Sequence, residues 1–195
     1  MPDKSNGSNN WAIAPRKTQS GAPLLANDPH LGLSLPSIWY ETHIVTKEIN
    51  AHGVSIPGIP GIILGFNQNT AWGSTNVGQD VADWYQLNWI DSTYSQYLLD
   101  STLYEVKIRK DTIYKKNGGF KIFNLPLTKA GIVPYTDTSH PLSGLAFDWI
   151  AHHESDKDEF STFLKLNSAE NISDYKRAVK PYNSPAQNLV FASNE

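Results

Sequence analysis

Apolar, aromatic and β-branched residues fall in short runs along this chain, separated by clusters of Gly, Pro, Asn, Asp and Ser. That rhythm predicts a protein built mainly of strands. The first ten residues, MPDKSNGSNN, are small, polar and turn-forming, and read alone they predict a disordered leader. Order is expected to begin at Trp11-Ala12-Ile13-Ala14, a run ended by Pro15. Further strands are predicted at Leu24 to Asn27, Ile38 to Thr46, Ile49 to Ile56 and Ile62 to Phe66. Asn67-Gln68-Asn69 reads as a hairpin tip leading into Ala71-Trp72-Gly73-Ser74-Thr75. The pattern continues over Asp83 to Ile90, Leu103 to Tyr114, Phe120 to Phe123 and Leu145 to His152, with a hairpin turn at Lys116-Asn117-Gly118-Gly119.

Helical spacing appears only late. Asp158 to Leu166 places Phe160, Phe163 and Leu164 on one face, and Ser173 to Val179 follows with Ser173 or Asn171 as N-cap and Pro181 beyond its end. Gln187 to Ala192 reads as a last strand. The predicted class is β-dominated α+β, with no internal repeat.

Composition narrows the function classes. The chain has 195 residues, 16 Lys and Arg against 19 Asp and Glu, and a net charge of −3. The longest basic runs, Lys107 to Lys110 and Lys115-Lys116, lie in an alternating stretch, so nucleic-acid binding is not expected. No apolar run is long enough to span a bilayer, and the N-terminus lacks the basic-then-apolar order of a signal peptide. With no cysteine, disulfides, thiol catalysis and Cys-ligated metal sites are excluded.

Generic motifs are sparse: no HExxH, GxSxG, phosphate-binding loop or dinucleotide fingerprint occurs. His152-His153 in a strand would point to opposite faces, poor for shared metal ligation, and His43 reads as structural. The 7 Phe, 6 Trp and 9 Tyr suit a β-core, or else a carbohydrate-binding platform.

One ordered constellation stands apart. Gly7-Ser8-Asn9-Asn10-Trp11-Ala12-Ile13-Ala14-Pro15 is followed by Leu24-Leu25-Ala26-Asn27-Asp28-Pro29-His30-Leu31. Then come Trp72-Gly73-Ser74-Thr75-Asn76-Val77 and Asp80-Val81-Ala82-Asp83. This series resembles the start of the β-subunit of the penicillin amidase family, N-terminal-nucleophile (Ntn) hydrolases that include penicillin, cephalosporin and acyl-homoserine-lactone acylases. The resemblance is nearly gapless from Ser8 to Asp83 and looser from there to the PAQNLVFA segment around Asn188.

The resemblance implies a precursor that cleaves itself between Gly7 and Ser8. Gly7, lacking a Cβ, would permit the strained backbone that lets the hydroxyl reach its own carbonyl. Ser8 would then be nucleophile and base in one residue, its freed α-amine having an ordinary pKa of about 7.7–8.0. His30, 22 residues on, matches the His-bearing acylases rather than the Gln-bearing penicillin-G type, and would sit beside the hydroxyl and amine of Ser8. One oxyanion donor would be the backbone N–H of Val77 or of its neighbour Asn76, with Val77 favoured. The second, an Asn side chain, is expected beyond Glu195, so neither Asn183 nor Asn188 is assigned to it. Asp80, the carbonyl of Ala82 and Asp83 match ligands of a structural calcium, and a capping or solvated Asp pair remains the alternative. No cofactor is expected for catalysis itself.

Residues 1–7 would thus be the end of a linker before the cleavage point. Residues 8–195 would be the N-terminal portion of a longer β-subunit, forming part of a four-layer αββα sandwich. Its partners would be the α-subunit of the same precursor, the rest of the β-subunit and a small acyl amide. The full-length bacterial protein would be periplasmic or secreted, and the 195-residue chain alone inactive. Trp39 and Tyr40 are candidate pocket-wall residues, with core packing as the simpler role. The competing reading is a non-catalytic β-rich module binding carbohydrate.

Overall fold

A computed structural model describes residues 7–153 and 158–194. The strands are β1 (Ser8–Ile13), β2 (Leu24–Pro29), β3 (Tyr40–Val45), β4 (Asn50–Ser55), β5 (Leu64–Asn67), β6 (Thr70–Asn76), β7 (Ala82–Gln86) and β8 (Asn88–Trp89). They continue as β9 (Gln96–Leu99), β10 (Thr102–Glu105), β11 (Lys107–Tyr114), β12 (Phe120–Thr128), β13 (Gly131–Ile132), β14 (Leu145–Trp149) and β15 (Gln187–Ser193). Two helices, α1 (Glu159–Asn167) and α2 (Ile172–Val179), precede the last strand. The described residues fall into two compact units, 7–79 with 158–194, and 80–153.

In the first unit, an antiparallel sheet runs in the order β15-β6-β5-β4-β3. One face carries the helices. Ala51, Ile62 and Trp72 from the sheet side pack with Leu166 of α1 and with Tyr175 and Ala178 of α2. Burial there pushes the Tyr175 phenol up to about 12. Both helix starts are capped as side-chain chemistry requires: Asp158 accepts from the Ser161 N–H, and Asn171 accepts from Ser173 and Asp174. Against the opposite face lies the β1–β2 hairpin, which touches β6 and β15. Because side chains alternate along a strand, Trp72 faces the helices while Gly73 and Thr75 face the hairpin. The order is helices, sheet, hairpin: consecutive layers of the sandwich expected from the sequence.

A buried amide ties α1 to this sheet. Asn167 is 1% exposed; its Oδ1 accepts from the Ile62 N–H and its Nδ2 donates to the Ile62 carbonyl, both at 2.8 Å. The side chain thereby imitates a strand partner. Asn167→Ala would leave two buried backbone groups unpaired, at about 1–3 kcal/mol each. We expect a loss of roughly 3 kcal/mol, read as a lower urea midpoint with an unchanged m-value.

In the second unit, β11-β12-β13-β14-β7 form one sheet and β10-β9-β8 another, around Leu87, Tyr97, Val133 and Ala146. Many aromatics here pack on one another, as Trp89 does edge to face with Tyr94 and Tyr97, which accounts for them as packing.

The structure corrects several boundaries. Strand β1 begins at Ser8, so residues 8–10 are ordered, not leader. Their polar side chains belong in a strand because they have partners: Asn10 Nδ2 donates to the Asn188 carbonyl at 3.1 Å. The run Asp83 to Ile90 divides into β7 and β8, and Leu103 to Tyr114 into β10 and β11. Two short strands, β9 and β13, are additional. The run from Leu145 leaves the sheet at Trp149, and His152 lies in a 3-10 turn (Ile150–His152). His152 packs on Phe147 and Trp149, while His153 Nε2 lies 2.6 Å from Asp148 Oδ1.

Candidate active site

Ser8 is the first residue of β1, half-buried, and directly opposite Pro29 of β2. That register brings the residue after Pro29 over the serine side chain: the backbone N–H of His30 donates to Ser8 Oγ at 3.2 Å. The imidazole pairs with Asp28. His30 Nε2 lies 2.7 Å from Asp28 Oδ2, and the two side chains are 42% and 71% exposed. Residues two apart on an extended chain project to the same side, so Asp28 competes for the ring on geometric grounds. In this arrangement the main chain of His30 meets Ser8, and the ring pairs with Asp28.

This contact has chemical content. A fixed N–H aimed at Oγ holds the oxygen in place and favours the charge that develops as its proton leaves. The Ser8 nitrogen is in peptide linkage to Gly7 in this chain, and an amide nitrogen is not a base. Gly7 is exposed, and a Cβ there would meet no described atom within 4 Å. Crowding by described atoms therefore does not explain the glycine.

Val77 follows the last residue of β6 and is 43% exposed. Its N–H donates to no carbonyl among the described residues. Asn76, the other oxyanion candidate, is still in the ladder opposite Gln187, and its Oδ1 accepts from Gln187 Nε2 at 2.6 Å. No hydrogen bond joins Val77 to Ser8 or His30 among the described residues. What links them is the stacking of the hairpin on β6. Asn188 is occupied in that interface, donating to Thr75 Oγ1 at 3.3 Å and accepting from Asn10. Trp39 has a buried indole N–H with no partner among the described residues, and Tyr40 is 67% exposed.

In the second unit, Asp80 is exposed and Ala82 and Asp83 open β7. Asp83 stands opposite Asp148 in the β7–β14 ladder, and Asp148 is engaged by His153. Oxygen donors are the right chemistry for calcium, but two carboxylates and a carbonyl fall short of six to eight ligands. Among the described residues no group of three or more His, Cys, Asp or Glu is placed to hold a metal. The donor type fits; the number does not.

Sequence reasoning passed over Asn27 and Gly73. Asn27 Nδ2 donates to the Ser74 carbonyl of β6 at 3.1 Å, and its side chain fills the space a Cβ on Gly73 would take. The available signal was an Asn inside a strand, where that residue is disfavoured unless its side chain has a partner.

Comparison with known proteins gives a consistent picture. An acyl-homoserine lactone acylase QuiP from Pseudomonas aeruginosa is 35% identical over 202 residues, covering 96% of this chain and 23% of that protein. Penicillin acylase 2 proenzyme from Pseudomonas sp. is 27% identical over 186 residues, covering 94% and 24%. The chain therefore spans about a quarter of the length of these curated relatives. Among solved structures, a thermostable penicillin G acylase from Alcaligenes faecalis superposes with a TM-score of 0.77 at 22% identity, covering 94% of this chain and 33% of that one. This likeness shows the fold. With the family model described as penicillin amidase matching residues 1–195, the chain belongs to the penicillin amidase family.

Proposed function

We propose that this chain is the nucleophile-bearing portion of an amide hydrolase that works through an acyl-enzyme on Ser8. The observation that carries the reading is the His30 N–H held 3.2 Å from Ser8 Oγ at the first residue of β1. In the precursor, Oγ attacks the Gly7 carbonyl carbon and the C–N bond breaks, freeing the Ser8 amine; water then hydrolyses the resulting ester, releasing the Gly7 carboxylate and restoring the Ser8 hydroxyl. In turnover, that amine takes the Oγ proton while Oγ attacks the substrate amide. The N–H of Val77 stabilises the oxyanion, the protonated amine half leaves, and water releases the acid. The relatives are named for penicillin and for acyl-homoserine lactones, both N-acyl amides, and we assign this chain the same substrate class.

The second oxyanion donor, the α-subunit and the rest of the β-subunit lie in this proposal outside the 195 residues, so the chain alone does not turn over. The test is intact mass on the full-length precursor. Two fragments split before Ser8 are expected, the second gaining one acyl or sulfonyl group when trapped; a precursor that hydrolyses acyl amides unsplit overturns the proposal.

Asp80, Ala82 and Asp83 would supply part of a calcium shell completed by that remaining sequence. EGTA is then expected to lower the unfolding midpoint of the full-length enzyme by several degrees, with recovery on adding calcium and no recovery in Asp83→Asn. An EGTA-insensitive midpoint removes calcium from the picture.

A further inference from the structure

The hairpin that carries Ser8 and His30 is held to the main sheet differently from the helices. Between helices and sheet lies the apolar cluster of Trp72, Leu166, Tyr175 and their neighbours, and no hairpin residue belongs to it. Between hairpin and sheet the links are side-chain amides. Asn10 Nδ2 donates to the Asn188 carbonyl of β15, and Asn27 Nδ2 donates to the Ser74 carbonyl of β6. Apolar burial is non-directional and tolerates sliding. A hydrogen bond to a specific carbonyl does not, since it weakens steeply with misalignment.

Asn27 is the more consequential of the two. It lies two residues before Pro29, the cross-strand partner of Ser8, and three before the N–H that meets Oγ. Its acceptor, Ser74, lies three residues before Val77 on the same chain. Gly73 is shaped to receive it: a Cβ there would overlap Asn27 Oδ1 and come within 2.7 Å of its Cγ and 2.8 Å of its Cβ. Oδ1 is buried with no hydrogen-bond partner among the described residues, lodged against the bare Gly73 backbone. A buried unsatisfied carbonyl oxygen carries a cost, and a residue chosen for stability alone would avoid it.

We propose that Asn27, seated on Gly73, is a positioning residue that sets the nucleophile strand against the strand leading into the oxyanion amide. This rests on Ser8 being the nucleophile. Its role is geometric, so it should act on kcat and self-cleavage, with little change in KM. A displacement near 1 Å at a reacting centre costs about 10²-fold in rate.

The experiment uses the full-length precursor carrying Asn27→Ala or Asn27→Asp, beside the parent and Ser8→Ala. Asn27→Asp keeps the volume, loses the Nδ2 donor and sets a carboxylate against the Ser74 carbonyl. Splitting before Ser8 is followed by intact mass, and active sites are counted with a sulfonyl fluoride. Turnover is measured on a penicillin and a straight-chain acyl-homoserine lactone. The expected result is a kcat per titrated site lower by about 10²-fold with KM within threefold of the parent. A folded, parent-like precursor that no longer splits supports the proposal equally. A kcat per site within threefold of the parent in both variants overturns it. Failure of both to fold also overturns it, since Asn27 is then a stability residue. If Ser8→Ala itself splits and turns over, the nucleophile assignment has failed, and the Asn27 proposal falls with it.

Discussion

Ser8→Ala in the full-length precursor is expected to leave the Gly7–Ser8 bond uncut and to lower acyl-amide turnover by about 10⁴-fold or more. One oxygen performs both reactions in the proposed scheme, so its loss removes both at once. Alanine fits the half-buried start of β1, and only one hydrogen bond from the His30 N–H is lost. Folding should be preserved, with an unfolding midpoint within a few degrees of the parent. His30→Ala makes the informative contrast. The group that meets Ser8 Oγ is the backbone N–H, which alanine also has, while the ring pairs with Asp28. We expect that variant to split and to keep turnover within about tenfold of the parent. A general-base role for the ring would instead cost about 10²–10⁴-fold. Parallel loss in both variants would refute the main-chain assignment. Unchanged turnover in Ser8→Ala would refute the nucleophile.

Much of the fold was legible because strand periodicity and turn chemistry agree locally. The IWYETHIVT run gave β3, and the Lys115 to Gly119 turn closes with the Lys115 N–H on the Gly119 carbonyl. Where reading failed, the deciding interaction was distant in sequence. Ser8, Asn9 and Asn10 look like leader because nothing nearby satisfies them; their partners lie near residue 28 and at Asn188. Strand β9 is hidden behind a turn in which the Asp91 carboxylate accepts from Thr93 Oγ1 and from Ser95 Oγ, bonds that hold its pKa down to about 2. The family resemblance implied Ser8 and His30 as neighbours, and the His30 N–H donates to Ser8 Oγ. It did not tell which atoms of His30 make that contact, because Asp28 captures the ring through a side-chain geometry that spacing does not encode.

Gly53→Ala is expected to have the largest effect on stability. Gly53 of β4 and Gly65 of β5 face each other in the ladder, and the side chain of Ile62 covers both. A Cβ on Gly53 would overlap the Leu64 carbonyl oxygen, lie 2.6 Å from the Gly65 Cα and 2.8 Å from Ile62 Cγ2. Two of those three atoms are backbone within a paired sheet, so no rotamer change relieves them. Ile62 cannot withdraw either: it is fully buried, and its N–H and carbonyl are both gripped by Asn167. Asn167 is in turn held where Asn67 Nδ2 donates to its carbonyl. Overpacking in a compliant core costs about 1–3 kcal/mol, and a rigid site belongs at or above the top of that range. Loss of about 3 kcal/mol or more should appear as a urea midpoint displaced far below that of Gly32→Ala, where a Cβ would meet nothing within 4 Å. Equal midpoints for the two variants would mean that the β4–β5 contact yields, and that the Asn167 clamp does not pin Ile62. The same network carries the consequence to the site, since β5 pairs with β6, the strand on which the Ser8 hairpin rests. In the full-length precursor, Gly53→Ala should therefore slow cleavage before Ser8 although it lies on the helix-covered face of the sheet.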